Sequence, residues 1–284
     1  MTAARHSLVV ALSGAAETGA VVKTALGVAQ LVGLGVEALH VAEDGGLGTD
    51  PGDEAQAAAG AAAHAAGLRF HHRSGPVVDR ILDVMGSPRV LGAVMGTRAF
   101  IAGPRPAGSV ALGVLRNSTK PVVFVPPEAA VAGRFSPRRL VVPLDGSAAA
   151  SNAYLGVERL FRPDADREIV VVYTLDGLTP RMVDRPEYDL SVWGTEFVLR
   201  HCPGEHRSFE WRTGDPGSAV VDVAEQAAGD LVVLCFGGDL DLGHGAVVQE
   251  VLARSTIPVL VVPTPRVPSP RPSVTKVRGS AARP

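Results

Sequence analysis

The sequence predicts an α/β protein made of two similar domains, each built on a doubly wound, five-stranded parallel sheet. Three observations predict this fold class. The chain repeats itself, because residues 8–14 resemble residues 140–146 and residues 119–126 resemble residues 256–263. The apolar segments are short and continuous, which is typical of strands buried on both faces. Helical segments alternate with these strands, as right-handed crossovers between parallel strands require.

The repeat is too long for a solenoid and indicates a duplicated whole domain. The two copies begin at residues 8 and 140 and end at residues 126 and 263. The predicted organisation has four parts: a first domain over residues 1–127, a linker over 128–138, a second domain over 139–263, and a disordered basic, proline-rich tail over 264–284.

Strands are predicted from the apolar runs and from two more polar segments. In the first copy they cover residues 8–12, 36–41, 68–72, 90–95 and 122–125, and in the second copy residues 140–144, 169–173, 208–212, 231–235 and 259–262. The last strands of the two copies are expected to pair within the chain, covering two exposed sheet edges.

Helices are predicted between the strands, over residues 16–31, 56–66, 77–85, 107–115, 147–160, 217–228 and 246–254. Pro76 and Pro216 suit a first helical turn, and Ser147 suits an N-cap. The segment 56–66 is rich in alanine without a strong apolar face, so we expect it to lie on the surface.

Composition excludes several classes of protein. The chain is 46% hydrophobic and 20% charged with a formal net charge of −2, which gives no surface for nucleic acid or membrane. Its two cysteines form no CxxC motif, and no segment resembles a signal peptide or a membrane span. These features predict a globular protein of the reducing cytoplasm.

Ligands of doubly wound sheets bind beyond the carboxyl ends of the strands, where the strand order reverses. This rule directs the search to the residues after strands one and four of each copy. Asp145 follows strand one of the second copy. Its carboxylate either accepts a hydrogen bond from a ribose hydroxyl or an adenine amino group, or only caps the helix that follows.

The loops after strand four differ between the copies. In the first copy, Gly96, Arg98, Gly108 and Ser109 suit an anion, since glycines admit close approach and a helix N-terminus favours negative charge. In the second copy the loop instead carries acidic residues. Its Asp239, Asp241 and His244 form either a solvated acidic turn or a site for a divalent metal.

Four features together resemble the universal stress protein family in its tandem form. They are the Asp-Gly-Ser end of strand one at Asp145, the Gly-Pro entry at Gly75, the glycine loop after strand four, and the Pro-Val-rich last strands. The resemblance covers both copies and implies a flavodoxin-like layout in each. Nucleotide-binding members carry Gly-x2-Gly-x9-Gly-Ser/Thr after strand four, together with the strand-one aspartate.

Each copy keeps a different part of that pattern. The first copy keeps Gly96, Gly108 and Ser109, but Ala99 replaces the second glycine and Ser13 stands where the aspartate belongs. In the second copy, Cys235 replaces the first glycine and Ala246 replaces the serine. The parts that this copy keeps are Pro143, Asp145, Gly238 and Gly245.

The resemblance implies a non-enzymatic stress-response regulatory protein with a weak adenine-nucleotide site for ATP in the first domain, and magnesium only together with ATP. The candidate binding residues are Ser13, Gly96, Arg98, Gly108, Ser109, Pro143, Asp145, Gly238 and Gly245; no catalytic or metal-binding residue is predicted. The alternative is a partner-binding pseudo-dimer in which both nucleotide sites are lost. A protein partner and a homodimer are further expectations of the resemblance.

Overall fold

The structure is a computed structural model that describes residues 6–43, 51–97, 108–129, 133, 135–161, 167–175, 190–237, 240 and 244–264. The first half of the described chain alternates strands and helices. Its elements are β1 (Ser7–Ala11), α1 (Thr18–Val32), β2 (Gly35–Ala42), α2 (Pro51–Ala65), β3 (Arg69–Ser74), α3 (Val77–Gly86), β4 (Val90–Gly96), α4 (Ser109–Asn117) and β5 (Val122–Val125).

The second half repeats this order. Its elements are β6 (Arg139–Pro143), α5 (Ala148–Glu158), β7 (Glu168–Leu175), α6 (Leu190–His201), β8 (Arg207–Thr213), α7 (Pro216–Gln226), β9 (Leu231–Phe236), α8 (His244–Arg254) and β10 (Val259–Pro263). Every predicted strand is present, and its ends lie within one or two residues of the prediction.

The ten strands form one sheet in the order β3-β2-β1-β4-β5-β10-β9-β6-β7-β8. Neighbouring strands are parallel except at the centre, where β5 and β10 pair antiparallel with Val123 opposite Leu260. The last strands of the two copies therefore pair within the chain, as predicted. The two predicted five-stranded sheets meet at this pair and become a single sheet.

Helices cover both faces of the sheet, which explains the continuous apolar runs of the strands. In β1, Leu8 and Val10 pack in the layer that contains α1, while Val9 packs in the opposite layer with α3 and α4. Val9 and Val10 are at most 1% exposed. Burial of a valine side chain to this extent contributes about 1.5–3 kcal/mol to folding.

Helix α2 departs from the sequence expectation. It begins at Pro51 rather than Gln56, and two of its alanines, Ala59 and Ala63, are completely buried against the sheet. These residues lie four apart and so share one face of the helix. At both positions the side chain that faces the core is only a methyl group. Because alanine is weakly apolar, the sequence of α2 shows no strong apolar face.

The end of the predicted linker packs on the first domain. Residues 135–138 lead directly into β6, and Phe135 is partly buried against the core. A Cβ placed on Gly27 of α1 would lie 2.0 Å from the carbonyl oxygen of Phe135. The backbone of the linker therefore touches the backbone of α1 at this glycine.

Candidate functional site at the carboxyl ends of the strands

The topology places the predicted sites at two equivalent positions of the sheet. In each half the strand order is third, second, first, fourth, fifth, so β1 lies beside β4 and β6 lies beside β9. The crossovers reverse direction between these strands, and this is the switch point at which such sheets bind ligands. Ser13 and Gly96 lie at the first switch point, and Pro143 and Asp145 at the second.

At the first switch point, Ser13 hydrogen-bonds a glutamate of its own loop. The Ser13 hydroxyl donates to Oε1 of Glu17 at 3.3 Å, and its oxygen accepts from the Ala15 amide at 3.2 Å. Glu17 is the residue immediately before α1 and is partly buried. Its carboxylate is therefore held at the N-terminus of a helix, where the backbone favours negative charge.

The same carboxylate reaches across to the end of β4. A Cβ placed on Gly96 would lie 3.2 Å from Cγ and 3.4 Å from Oε1 of Glu17. Glycine at position 96 thus leaves an open space above the strand end, and Glu17 occupies it. The structure brings Ser13 and Gly96 together, but it does so around an acidic side chain of the protein.

The other predicted residues of the first domain are described only in part. Gly108 is the N-cap of α4, and Ser109 is the exposed first residue of that helix. Gly108 has no side chain with which to cap this helix, and its carbonyl accepts from the Leu112 amide at 3.0 Å. Arg98 lies outside the described residues.

In the second domain, Asp145 is exposed and shapes the turn after β6. One of its carboxylate oxygens, Oδ1, accepts from the Ser147 amide at 2.9 Å. The cap of α5 is Ser147 itself, whose hydroxyl oxygen accepts from the Ala150 amide at 3.2 Å. The predicted N-cap is thus confirmed, and Asp145 stabilises the turn one step before it. Pro143 is the last residue of β6 and lies opposite Val172.

Cys235 takes the position that Gly96 has in the first domain. In the register of the sheet Gly96 lies opposite Val125 of β5, and Cys235 lies opposite Val262 of β10. The Cys235 thiol donates to the Ala150 carbonyl at 3.3 Å. Burial and the nearby Asp145 carboxylate raise the pKa of this thiol to about 12. A thiol with a raised pKa is mostly protonated near neutral pH, so Cys235 is a poor nucleophile.

Helix α6 closes over the turn of the second switch point. The Ser151 hydroxyl donates to the Ser147 carbonyl at 2.9 Å and lies 3.0 Å from Nδ1 of His201. The tautomer of His201 decides which of these two side chains donates the hydrogen bond between them. Burial and the adjacent Arg200 lower the pKa of His201, while Asp145 partly offsets this shift.

The metal site that the sequence left open lies outside the described residues. Gly238, Asp239 and Asp241 lie outside the described residues, as does the side chain of His244, and Gly245 is buried in the first turn of α8. Over the described ranges, no group of three or more histidine, cysteine, aspartate or glutamate residues could hold a metal ion. The same ranges contain no helix that is long and apolar enough to cross a membrane.

Comparison with known families decides the identity of the fold. The model of the universal stress protein family matches residues 137–263, which is the whole second domain from just before β6 to the end of β10. Through this match, the second domain resembles the universal stress protein family. No curated protein matches the chain.

Solved structures extend the fold of universal stress proteins to the first domain. A universal stress protein from Archaeoglobus fulgidus DSM 4304 is 20% identical, covers 93% of this chain and 99% of its own, and superposes with a TM-score of 0.62. A functionally unknown protein from Pseudomonas aeruginosa PAO1 is 11% identical, covers 92% and 93% of the two chains, and has a TM-score of 0.61. At these identities the likeness shows that the fold is shared over both halves.

One residue of the first switch point was not predictable from the motifs. Glu17 was not among the candidates, although it contacts both Ser13 and the space above Gly96. The available signal was its spacing, since a residue four positions beyond Ser13 returns to the same side after one helical turn. Only the packing of α1 against β4 shows that this spacing matters.

Proposed function

We propose that the chain is a non-enzymatic stress-response regulatory protein that acts as a pseudo-dimer formed within one chain and binds a protein partner. One observation carries the proposal: in each half, a side chain of the protein itself lies at the end of the fourth strand. Glu17 lies above Gly96 in the first domain, and the thiol of Cys235 stands at the equivalent position in the second. A nucleotide phosphate that approached the backbone at either strand end would meet one of these side chains.

The charge of Glu17 opposes a phosphate in the first domain. Two like charges 4 Å apart repel by at most about 4 kcal/mol at an effective dielectric constant of about 20. Such a repulsion corresponds to roughly a thousandfold loss of affinity, which solvent at this partly exposed site reduces.

The chemistry of the second domain supports a binding role rather than a catalytic one. The protonated Cys235 thiol and the hydrogen-bonded imidazole of His201 provide no nucleophile and base in mutual contact. Both cysteines are unpaired, which suits the cytoplasmic location that we propose. The antiparallel pair of β5 and β10 covers the inner sheet edges, so partners would meet the outer surfaces.

A second candidate function is weak binding of ATP in the first domain, with magnesium as the counterion of the phosphates. The observation that favours it is the start of α4, where Gly108 provides no side-chain cap for the first backbone amides. Such amides bind anions readily. Under this proposal Ser13, Gly96, Arg98, Gly108 and Ser109 would contribute to the site, and Asp145 with Pro143, Gly238 and Gly245 would form its counterpart.

One experiment distinguishes the two candidates. The purified protein is denatured and the supernatant is analysed for adenine nucleotide by absorbance and chromatography, and then magnesium ATP is titrated into folded protein by calorimetry. We expect no released nucleotide and no heat of binding at millimolar ATP. Nucleotide in stoichiometric amount, lost in a Gly108→Trp variant, would replace the proposed function with the second candidate.

A further inference from the structure

Among the residues that the structure describes, each switch point has one carboxylate, but the two carboxylates come from different positions. The turns align through Gly14 and Gly146, whose φ angles are 79° and 80°. In this alignment Ser13 corresponds to Asp145, and Glu17 corresponds to Ala149. The first domain thus has a carboxylate one helical turn after the strand, and the second domain has one directly at the strand end.

From this exchange, we infer that Glu17 is the residue that determines ligand specificity in the first domain, because its carboxylate occupies the position of a ligand phosphate and rejects phosphorylated ligands. The inference deepens the proposed function and rests on it. It differs from a simple loss of the site, since a single acidic side chain would be responsible for the exclusion.

The surroundings of Glu17 are those that an anionic ligand would use. Its carboxylate accepts a hydrogen bond from the Ser13 hydroxyl at 3.3 Å and lies at the N-terminus of the fifteen-residue helix α1. The space that it enters is the one left open by Gly96, where a Cβ would lie 3.4 Å from Oε1. A hydroxyl donor, a helix N-terminus and a glycine together are what phosphate sites commonly provide.

The second domain differs at the same point. Ala149 supplies no charge, and the gap over β9 is filled by the neutral thiol of Cys235. The Asp145 carboxylate is exposed beside the strand end and accepts from the Ser147 amide. The block at the first switch point is therefore electrostatic and removable by one substitution, whereas the second is filled by an uncharged atom of the sheet itself.

The test compares ligand binding by Glu17→Gln and Glu17→Ala with that by the full-length wild-type chain. Calorimetric titrations use two probes, magnesium ATP and adenosine. We expect both variants to bind ATP at least about tenfold more tightly than the wild type, with adenosine affinity unchanged. Asp79→Asn is the matched control, since Asp79 is an exposed acid in the first turn of α3, and it should leave both affinities unchanged.

Three results would overturn the inference. The first is an unchanged ATP affinity in both variants, and the second is an equal gain for adenosine and ATP, which would assign the effect to volume instead of charge. Thermal unfolding of each variant checks that it is folded, and Glu17→Ala gives a second measurement if the glutamine variant is unstable. A gain in the alanine variant alone also contradicts a block by charge.

Failure of the proposed function would look different. If the wild-type chain binds ATP tightly, the proposed function fails, and the ratio between variant and wild type still decides the role of Glu17. If neither the wild type nor the variants bind ATP, the proposed function stands and the inference about Glu17 fails.

Discussion

Gly14 and Gly146 adopt the same left-handed backbone conformation at the end of the first strand of their domains, but they meet different neighbours. A Cβ on Gly14 would lie 2.1 Å from the carbonyl oxygen of Ala55, which belongs to the backbone of α2. A Cβ on Gly146 would lie 3.3 Å from Cε2 of Phe197, which is part of a side chain. The turn is shared, and the equivalent helices α2 and α6 approach it with different groups, a backbone carbonyl and an aromatic ring.

This difference predicts unequal costs for the same substitution. Both Gly14→Ala and Gly146→Ala force alanine into a left-handed conformation, at about 1–2 kcal/mol each. Gly14→Ala should cost more, because the backbone of α2 must move to admit the methyl group, whereas the ring of Phe197 can shift slightly. Urea denaturation of the two variants measures the loss, and equal losses would contradict the described packing of α2.

The close contact between Gly27 of α1 and Phe135 of the linker predicts the effect of enlarging residue 27. Gly27→Ala should destabilise the protein by about 1–3 kcal/mol, because its methyl group would collide with the backbone of the linker. Gly19→Ala is the matched control in the same helix, because a Cβ on Gly19 would meet none of the described neighbouring atoms within 4 Å. Since alanine favours helices, the control should be neutral or stabilising by up to about 1 kcal/mol.

Urea denaturation measures the change in unfolding free energy for both Gly27→Ala and Gly19→Ala. A gain in stability for both variants would show that residue 135 does not rest on α1.

Lys120 is predicted to stabilise the first domain through backbone carbonyls. Its ammonium group donates to the carbonyl oxygens of Met85, Ser87 and Val90 at 2.6, 2.7 and 2.6 Å. Lys120→Met keeps the aliphatic stem but leaves these acceptors without their donor, which should cost about 1–3 kcal/mol. The exposed Arg89 provides the control, and Arg89→Met should change the free energy of unfolding by less than about 0.5 kcal/mol.

The lowered pKa of His201 predicts how the free energy of unfolding depends on pH. Burial lowers its pKa in the folded state below the ordinary value of 6.5, so the unfolded chain binds more protons between the two values. The contribution of His201 is therefore fully present above about pH 6.5 and is lost as the pH falls below that value. His201→Gln should flatten this part of the profile of unfolding free energy against pH.

The control for this measurement is His64→Gln, which changes an exposed histidine of α2. Its profile should run parallel to that of the wild type. A wild-type profile that rises as the pH falls from 6.5 would contradict the lowered pKa of His201.

The strands and most helices were predictable because their signals are local. The runs around Val9 and Val141 are continuous and rich in β-branched residues, and both are buried on two faces of the sheet. Helix α6 had no predicted boundaries, since Phe197 and Trp193 pack in an aromatic cluster with residues of two strands rather than in a regular apolar stripe. Helix α2 buries only alanines, so its core-facing side carried no recognisable pattern.

The sequence by itself determined the internal repeat, the alternation of strands and helices, and the resemblance to universal stress proteins, because each depends on residue order and on short-range periodicity. Only the tertiary structure decided that β5 and β10 join the two halves into one sheet and that Glu17 fills the space above Gly96. The physical reason is distance along the chain: Glu17 and Gly96 meet only after β1 and β4 become neighbours, and no local pattern records that contact.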